Sequence, residues 1–219
     1  MVEKAPIARS PITPAPPVTV LAGWETSAKP STAPLRLTDC TPCGKLLVRT
    51  GIRSATAHAL GVNQGRARSD GSGRLVAGIG YEEWLIIGPS GVTLPALATD
   101  GSEGTPELVT IVDLTHARAV VRIVGADSAK VMAKLCGIDF GDKATPDNTA
   151  LRTSMARLVV EIIRSDLTNR PGGATGSDAA SRCYLVLCER SAAQYLFNVL
   201  LNAGEEFDID IEGFGISGL

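Results

Sequence analysis

Two consecutive stretches of this 219-residue chain repeat the same order of short apolar segments. In the first stretch, 35–113, patterns of period 2 and period 3.6 alternate in the order β-α-β-β-α-β. The predicted segments are, in chain order, strand 45–49, helix 52–60, strands 74–79 and 83–87, helix 94–98 and strand 108–112. Gly61 is expected to end the first helix, and Pro95 suits the first turn of the second. This order is typical of a split β-α-β, or ferredoxin-like, layer.

The second stretch, 114–219, repeats the order with clearer signals. Its predicted segments are strand 119–124, a helix that Gly137 ends, strands 158–164 and 184–188, a helix that Gly204 ends, and strand 207–212. Asp127 is expected to cap the first of these helices. Ser191 and Gln194 form a capping-box pattern at the start of the second. The Gly- and Ser-rich residues 166–181 are expected to form a mobile loop.

These patterns predict an α+β fold of two β-α-β-β-α-β halves, 35–113 and 114–219, preceded by an N-terminal arm, 1–34. Helices cover only one face of such a sheet, so the other face needs a cover. The two halves are therefore expected to pack against each other or against another subunit.

The arm is rich in proline, since seven of the thirteen prolines lie within the first 36 residues. It shows neither a helical nor a strand period, which predicts an extended, polyproline-like segment. Two interpretations remain open, a disordered tail and an arm that wraps a partner. Trp24 favours the second, because a large apolar side chain of this kind often anchors an interface. Loss of 1–29 is then expected to weaken assembly more than the fold of 35–214.

Composition excludes several classes of protein. The chain has 44% hydrophobic and 20% charged residues, a net charge of −2 and a pI near 5.7. Disorder throughout is excluded, and a coat for nucleic acid would need a basic excess. Apolar runs stay short of the roughly 18 residues that a membrane helix needs. The first residues lack the apolar core of a signal peptide, so a soluble cytoplasmic protein is expected.

Five cysteines are an odd and sparse set for a secreted scaffold. Cys40 and Cys43 have the two-residue gap of a metal or redox pair, but no second CxxC follows. We interpret them as partly buried thiols, with a metal or redox role as the less favoured alternative. Cys183 and Cys188 point to opposite faces of a predicted strand and Cys136 lies on an apolar helix face, so all three are expected to pack in the core.

Other candidate groups also favour structural interpretations. Asp113, Thr115 and His116 form the one tight polar cluster, and a turn explains it better than acid–base chemistry. The glycine runs near 71–73 and 172–176 lack the order of a phosphate loop. In the last strand, Phe207, Ile209 and Ile211 are expected to face the core while Asp208, Asp210 and Glu212 lie in solvent. We therefore assign no catalytic, cofactor-binding or metal-ligating residue. The excess of arginine over lysine, 15 against 6, favours multi-donor contacts with carboxylates at interfaces.

Four longer strings together resemble the gamma subunit of heterotetrameric sarcosine oxidase. They are LRLTDCTPCGKLLVR (35–49), VDLTHARAVVRIVGADSAKVMAKLCGIDF (112–140), ALRTSMARLVVEIIR (150–164) and CYLVLCERSAAQYLFNVLLNAG (183–204). The family is in turn similar in fold to the folate-binding portion of aminomethyltransferases such as the glycine-cleavage T-protein. Cys40 and Cys43 depart from the resemblance, since apolar residues are expected there.

The resemblance implies a four-subunit enzyme that oxidatively demethylates sarcosine to glycine, with oxygen reduced to hydrogen peroxide. The one-carbon unit leaves as formaldehyde or as 5,10-methylene-tetrahydrofolate. It implies alpha, beta and delta subunits as partners and places FAD, FMN, NAD, tetrahydrofolate and zinc on those other subunits. Under this hypothesis the chain is a structural subunit without catalytic groups.

Two further hypotheses stay open. One is a free-standing folate-binding protein of one-carbon metabolism, and Trp84 offers a fluorescent probe for it. The other is an adaptor for a different methylamine-oxidising dehydrogenase.

Overall fold

A computed structural model of the protein describes residues 6–70, 73–89, 108–166 and 182–215. The described residues form fourteen strands, three α-helices and two short 3-10 turns. In chain order these are β1 (Ala8–Arg9), β2 (Val18–Leu21), β3 (Trp24–Ser27), β4 (Leu35–Asp39), β5 (Gly44–Thr50), α1 (Ala55–Leu60), β6 (Ala67–Ser69), β7 (Leu75–Gly80), β8 (Glu83–Gly88), β9 (Val109–Asp113), β10 (Arg118–Val124), α2 (Ser128–Leu135), β11 (Ala150–Met155), β12 (Leu158–Arg164), β13 (Cys183–Glu189), α3 (Ala193–Gly204) and β14 (Ile209–Glu212). The fold is α+β and dominated by sheet. No helix in the described ranges is long and apolar enough to cross a lipid bilayer.

One sheet is built from the first half of the chain. Its five strands lie in the order β6-β7-β8-β5-β9, and every neighbouring pair is antiparallel. The predicted strands 45–49, 74–79, 83–87 and 108–112 are confirmed to within one or two residues at each end. The predicted helix 94–98 lies outside the described residues, so the complete β-α-β-β-α-β order of this half stays a prediction.

The helix predicted over 52–60 begins later than expected, at Ala55. Ser54 precedes it in extended conformation, and its hydroxyl accepts a hydrogen bond from the Ala57 amide at 2.9 Å. This side-chain cap fixes the first turn. The predicted end is confirmed, because Gly61 adopts the left-handed conformation (φ 61°) that favours glycine.

The second sheet has six strands in the order β11-β12-β13-β10-β4-β14. Strands 119–124, 158–164 and 184–188 are confirmed as β10, β12 and β13, but β4 and β11 were not predicted. The strand β4 lies between β10 and β14, antiparallel to the first and parallel to the second. Residues 35–39 thus pair with the sheet of the second half. The predicted boundary between the two halves at residue 113 therefore assigns residues 35–39 to the wrong half, because Leu35 and Leu37 bury their side chains in the core of the six-stranded sheet.

The two sheets face each other across a shared apolar core. Alternate residues of β7 and β8, such as Ala77 and Leu85, meet alternate residues of β10 and β13, such as Val120 and Leu187. The helices α2 and α3 cover the other face of the six-stranded sheet, and α1 covers the other face of the five-stranded sheet. Central strands are therefore buried on both faces, which explains apolar runs such as YLVLC.

The N-terminal residues are ordered on the body of their own chain. Strands β1, β2 and β3 form a small sheet in the order β1-β3-β2, so the prediction of a segment without strands is wrong. Ile12 is 1% exposed within the core under α3, and Trp24 stacks on His116 with ring centroids 4.9 Å apart. Because Ile12 fills that core, removal of 1–29 is now expected to damage the fold as well.

Of the two predicted helix caps, one is confirmed in position only and the other is wrong. Asp127 is the N-cap residue of α2, but its carboxylate makes no capping hydrogen bond and instead pairs with Lys130 at 2.7 Å. Before α3 the chain forms a 3-10 turn, Arg190–Ala192, so Ser191 does not cap the helix. Gln194 is used differently, because its side-chain oxygen accepts a hydrogen bond from the Thr13 amide at 2.7 Å. The capping-box residue thus ties the N-terminal segment to the body.

The last strand is shorter than predicted and its acidic face is covered. Phe207 ends a 3-10 turn, and Asp208 reverses the chain with φ 54°, so β14 starts at Ile209. Ile209 and Ile211 pack against the core as predicted. Asp210 and Glu212 were expected in solvent, but both form ion pairs. Asp210 pairs with Lys29. Glu212 pairs with Arg36 and Arg122.

Candidate functional site

The most unusual polar group of the interior surrounds the turn formed by residues 40–43, named here the CxxC turn. Cys40 and Cys43 are 0% and 1% exposed, and both thiols are free. The Cys43 amide donates to the Cys40 carbonyl at 3.0 Å, which closes the turn. The Cys40 amide donates to the Val120 carbonyl of β10 at 2.8 Å. The sequence predicted partly buried thiols, and the structure buries them completely between the two sheets.

Lys45 lies directly after this turn and is 0% exposed. Its ammonium donates two hydrogen bonds, each 2.8 Å long, to the carbonyls of Thr41 and Cys43. Burial lowers the pKa of Lys45 to about 8. Lys45 therefore stabilises the CxxC turn from the protein interior through hydrogen bonds to two carbonyl oxygens of the turn.

The two thiols of the turn differ in their electrostatics. The Cys43 thiol donates a hydrogen bond to the Cys40 sulfur, and this bond, assisted by the charge of Arg122, lowers the pKa of Cys40. The same bond and burial raise the pKa of Cys43. Burial also raises the pKa of the neighbouring Asp39. Negative charge in the turn is thus favoured at Cys40.

The other cysteines pack in the core, as predicted. Cys136 is 6% exposed, and Cys183 and Cys188 are 0% and 1% exposed. Burial raises the pKa of Cys188 to about 11. Among the residues that the structure describes, no three His, Cys, Asp or Glu side chains converge on a point that could hold a metal ion.

The polar cluster that follows β9 is a turn, as predicted. The Thr115 amide donates to the Asp113 carboxylate at 2.7 Å, and the Thr115 hydroxyl accepts from the Lys45 amide at 3.1 Å. The His116 ring stacks on Trp24 at an interplanar angle of 13°. The three polar side chains therefore serve different structural contacts and do not form an acid–base unit.

A row of alternating charges, named here the inter-sheet ion-pair chain, was missed by sequence reasoning. Glu161 on β12 is its centre and is only 3% exposed. One guanidinium nitrogen of Arg118 lies 2.6 and 2.5 Å from the two Glu161 oxygens, and Arg152 lies 3.2 Å from one of them. Arg152 also reaches Glu83 of the other sheet at 2.8 Å. In order, the members are Arg49, Glu83, Arg152, Glu161, Arg118 and Glu189.

The arginine excess was the only sequence signal for this chain of ion pairs. It predicts contacts with carboxylates at interfaces, and these arginines contact carboxylates of their own polypeptide. Glu161 and its two arginines are far apart in sequence or on different strands, so no local pattern marks them.

A second ionic cluster surrounds Arg164 at the end of β12. Arg164, 6% exposed at its side chain, donates to Asp142 and Asp166, each at 2.7 Å. Hydrogen bonds from Arg182 and Arg164 hold the pKa of Asp142 at about 2. Of the loop predicted over 166–181, residues 167–181 lie outside the described residues.

Two open cavities accompany these clusters. One of about 160 Å³ lies beside α1 and is lined by Trp84, His58 and Tyr81 among others. The other, of about 210 Å³, lies under the N-terminal segment between Arg9 and Glu25. Both are smaller than the roughly 300 Å³ at which pockets for drug-sized ligands begin.

Several large apolar side chains are exposed on strands and turns. Tyr81 is 69% exposed, Val159 66% and Tyr195 49%. On β9, Ile111 and Val112 point to opposite faces and are both exposed, and within the described sheet this strand pairs only with β5. Apolar side chains at an open strand edge are a common feature of surfaces that meet other polypeptides.

Comparison with known proteins gives structural matches. No protein-family model and no curated protein sequence matches the chain. A chain of heterotetrameric sarcosine oxidase from Corynebacterium sp. U-96, solved with pyrrole 2-carboxylate, is similar in structure with a TM-score of 0.60 and 23% identity. The match covers 83% of this chain and 89% of that one.

The aminomethyltransferase T of the glycine cleavage system from Bartonella henselae is also similar, with a TM-score of 0.61 and 14% identity. That match covers 90% of this chain but 55% of the enzyme, so this chain corresponds to about half of it. The resemblance stated from the sequence is thereby confirmed at the level of the fold. At these identities the matches establish fold and not activity.

Proposed function

We propose that this chain is a gamma-type structural subunit of a heterotetrameric sarcosine oxidase. The observation that carries the proposal is the match to a chain of such an enzyme, because it extends over most of both chains. A correspondence that runs nearly from end to end of both chains supports a whole subunit and not only a common domain. The four sequence strings that resemble the gamma subunit support the same assignment independently.

In this proposal the complex oxidatively demethylates sarcosine to glycine and reduces oxygen to hydrogen peroxide. The one-carbon unit leaves as formaldehyde or as 5,10-methylene-tetrahydrofolate. The alpha, beta and delta subunits are the partners and carry FAD, FMN, NAD, tetrahydrofolate and zinc. We place the complex in the cytoplasm.

The contacts of the polar residues support a structural role for this chain. Asp113 and Thr115 bond to each other, His116 stacks on Trp24, and Lys45 bonds to two carbonyls. Each of these groups therefore stabilises the fold. The exposed apolar residues of β9 and of the turn at Tyr81 supply surface that partner subunits can cover.

Co-expression tests the proposal directly. The full chain is produced with alpha, beta and delta subunits of a sarcosine oxidase, and the mass of the complex and its sarcosine-dependent release of peroxide are measured. We expect a four-subunit complex, and we expect assembly or activity to collapse when this chain is omitted. A monomer that ignores the co-expressed subunits, or an isolated chain that oxidises sarcosine, would overturn the proposal.

A free-standing folate-binding protein is the second candidate, and the match to an aminomethyltransferase over 90% of the chain favours it. Trp84 lines the cavity beside α1, so its fluorescence reports on ligands bound there. In a Trp24→Phe background, saturable quenching by tetrahydrofolate would support this candidate. We expect no quenching, because a cavity of about 160 Å³ is smaller than such a ligand requires.

A further inference from the structure

We propose that Cys40 and Cys43 are a redox-active dithiol that hydrogen peroxide converts to an intramolecular disulfide. The CxxC turn was the one motif of the sequence that neither the fold nor the proposed function explains. Only the natural source of the peroxide rests on the proposed function, since an oxidase assembly would release it beside this chain.

The backbone of the turn brings the two thiols together. The 3.0 Å hydrogen bond from the Cys43 amide to the Cys40 carbonyl defines a tight turn, whose end residues have Cα atoms less than about 7 Å apart. Disulfides bridge Cα atoms that are about 4.4–6.8 Å apart. Closing the disulfide therefore requires little movement of the main chain.

The Cys43 thiol and the nearby charge of Arg122 favour a thiolate at Cys40, against burial and the opposing charges of Asp39 and Glu212. Arg122 acts on it through its charge, and Lys45 is fixed on two carbonyls of the same turn. The Cys43 thiol donates its hydrogen to the Cys40 sulfur and so lowers the pKa of Cys40. Thiolates are the nucleophiles in thiol oxidation, which makes Cys40 the attacking sulfur.

The reaction consumes one peroxide for two thiols. The Cys40 sulfur attacks a peroxide oxygen, the O–O bond breaks, and hydroxide leaves with the Cys40 proton as water, giving a sulfenic acid. The Cys43 sulfur then attacks the Cys40 sulfur and the S–O bond breaks. The second hydroxide leaves as water with the Cys43 proton. The two sulfurs together lose two electrons, and the peroxide is reduced to two waters.

Burial restricts the class of oxidant. Cys40 and Cys43 are 0% and 1% exposed, so bulky disulfides such as oxidised glutathione do not reach them. Hydrogen peroxide is neutral and little larger than water, and a local opening of the fold at the turn is enough to admit it.

Cys188 provides an internal control, because it is as buried as Cys43 but lacks the hydrogen-bonded thiol. Cys188 is 1% exposed and Cys40 0%, but burial raises the pKa of Cys188 to about 11 whereas the pKa of Cys40 is lowered by the neighbouring Cys43 thiol. If burial alone determined reactivity, Cys188 and the cysteines of the CxxC turn would resist oxidation by peroxide equally. The proposal instead predicts oxidation at the CxxC turn only.

The test treats the reduced full chain with hydrogen peroxide, removes the excess with catalase, and alkylates the unfolded protein before mass analysis. We expect a loss of two hydrogen atoms, a peptide link between Cys40 and Cys43, complete alkylation of Cys136, Cys183 and Cys188, and full reversal by dithiothreitol. In Cys43→Ser, we expect Cys40 to accumulate as a sulfenic acid that dimedone traps. Cys188→Ser should form the same disulfide as the unmodified chain.

A chain that keeps all five thiols, or that oxidises Cys188 as fast as Cys40, would overturn the proposal. Circular dichroism before and after treatment establishes that the folded state is the one being oxidised, and a link that forms only after unfolding also contradicts it. Because peroxide is added to the isolated chain, the result does not depend on assembly. Failure of the co-expression experiment and failure of this one are thus distinguishable.

Discussion

The inter-sheet ion-pair chain and the CxxC turn both place charge inside the protein, but they neutralise it differently. Glu161 is 3% exposed and meets two guanidinium groups. Lys45 is 0% exposed and meets two carbonyl oxygens. A carbonyl offers a partial charge, so burial still lowers the pKa of Lys45, while Glu161 is balanced by full charges. The comparison separates a buried charge that meets full opposite charges from one that meets only partial charges and whose charged form burial disfavours.

The strongest test of this difference is Glu161→Gln. The amide keeps the shape of the side chain but leaves Arg118 and Arg152 without their shared buried carboxylate. Breaking a buried pair in this way costs about 3–5 kcal/mol in the free energy of unfolding. Urea denaturation at pH 7 measures it, and a loss of less than about 1 kcal/mol would show that the inter-sheet ion-pair chain contributes little.

The next test concerns Lys45 and pH. The pKa of lysine is 10.5 before burial and about 8 in the folded protein, so between these values the unfolded chain binds more protons. Stability linked to Lys45 therefore rises with pH across this window, by roughly 3 kcal/mol in total.

Lys45→Met removes that titration and leaves two carbonyls without donors, which costs about 1–3 kcal/mol at pH 7. We expect the stability difference between the original chain and Lys45→Met to grow from pH 7.5 to pH 10. Cys40 and Cys43 interact with the charge of Lys45, so both proteins carry Cys40→Ser and Cys43→Ser, and the remaining cysteines and the tyrosines titrate in both and cancel. A difference that stays constant with pH would contradict a neutralisation of Lys45 inside the fold.

The smallest effect is expected for Glu189→Gln at the outer end of the ion-pair chain. Its side chain is 69% exposed, although it pairs with the same Arg118 as Glu161 does. Exposed pairs contribute at most about 1 kcal/mol, and salt screens them. The loss of unfolding free energy is measured for Glu189→Gln and Glu161→Gln at low and high salt. The comparison shows whether burial of the carboxylate or its pairing with Arg118 determines how much each ion pair contributes to stability.

Local patterns predicted those segments whose own residues determine their conformation. Strands such as β12 and β13 have apolar runs that only a doubly covered sheet explains, and Gly61 ends α1 through its own backbone preference. The hairpin of β2 and β3 also left a signal that was missed. Ala22 and Gly23 both have positive φ, as in the two-residue turns that join twisted strands.

The remaining features depend on residues that are distant in sequence. The strand β4 is short and half polar, and it is a strand because β10 and β14 pair with it on both sides. Gln194 does not form its predicted cap, and its side-chain oxygen instead accepts a hydrogen bond from the Thr13 amide. The CxxC turn was identified from spacing alone, but its burial and its neighbours Lys45 and Arg122 follow from the packing of two sheets. Spacing therefore located this site and could not reveal its electrostatics.

The position of β4 also has a consequence for how the protein is made. Residues 35–38 pair in parallel with 209–212, so the six-stranded sheet joins segments from near both ends of the chain. Such long-range pairing slows folding, because the entropy cost of closing a large loop must be met before the stabilising contact forms. On a ribosome, β4 is synthesised long before β14. The edge of β4 that β14 covers is therefore open until β14 emerges, and unpaired strand edges of this kind make a nascent chain prone to aggregation.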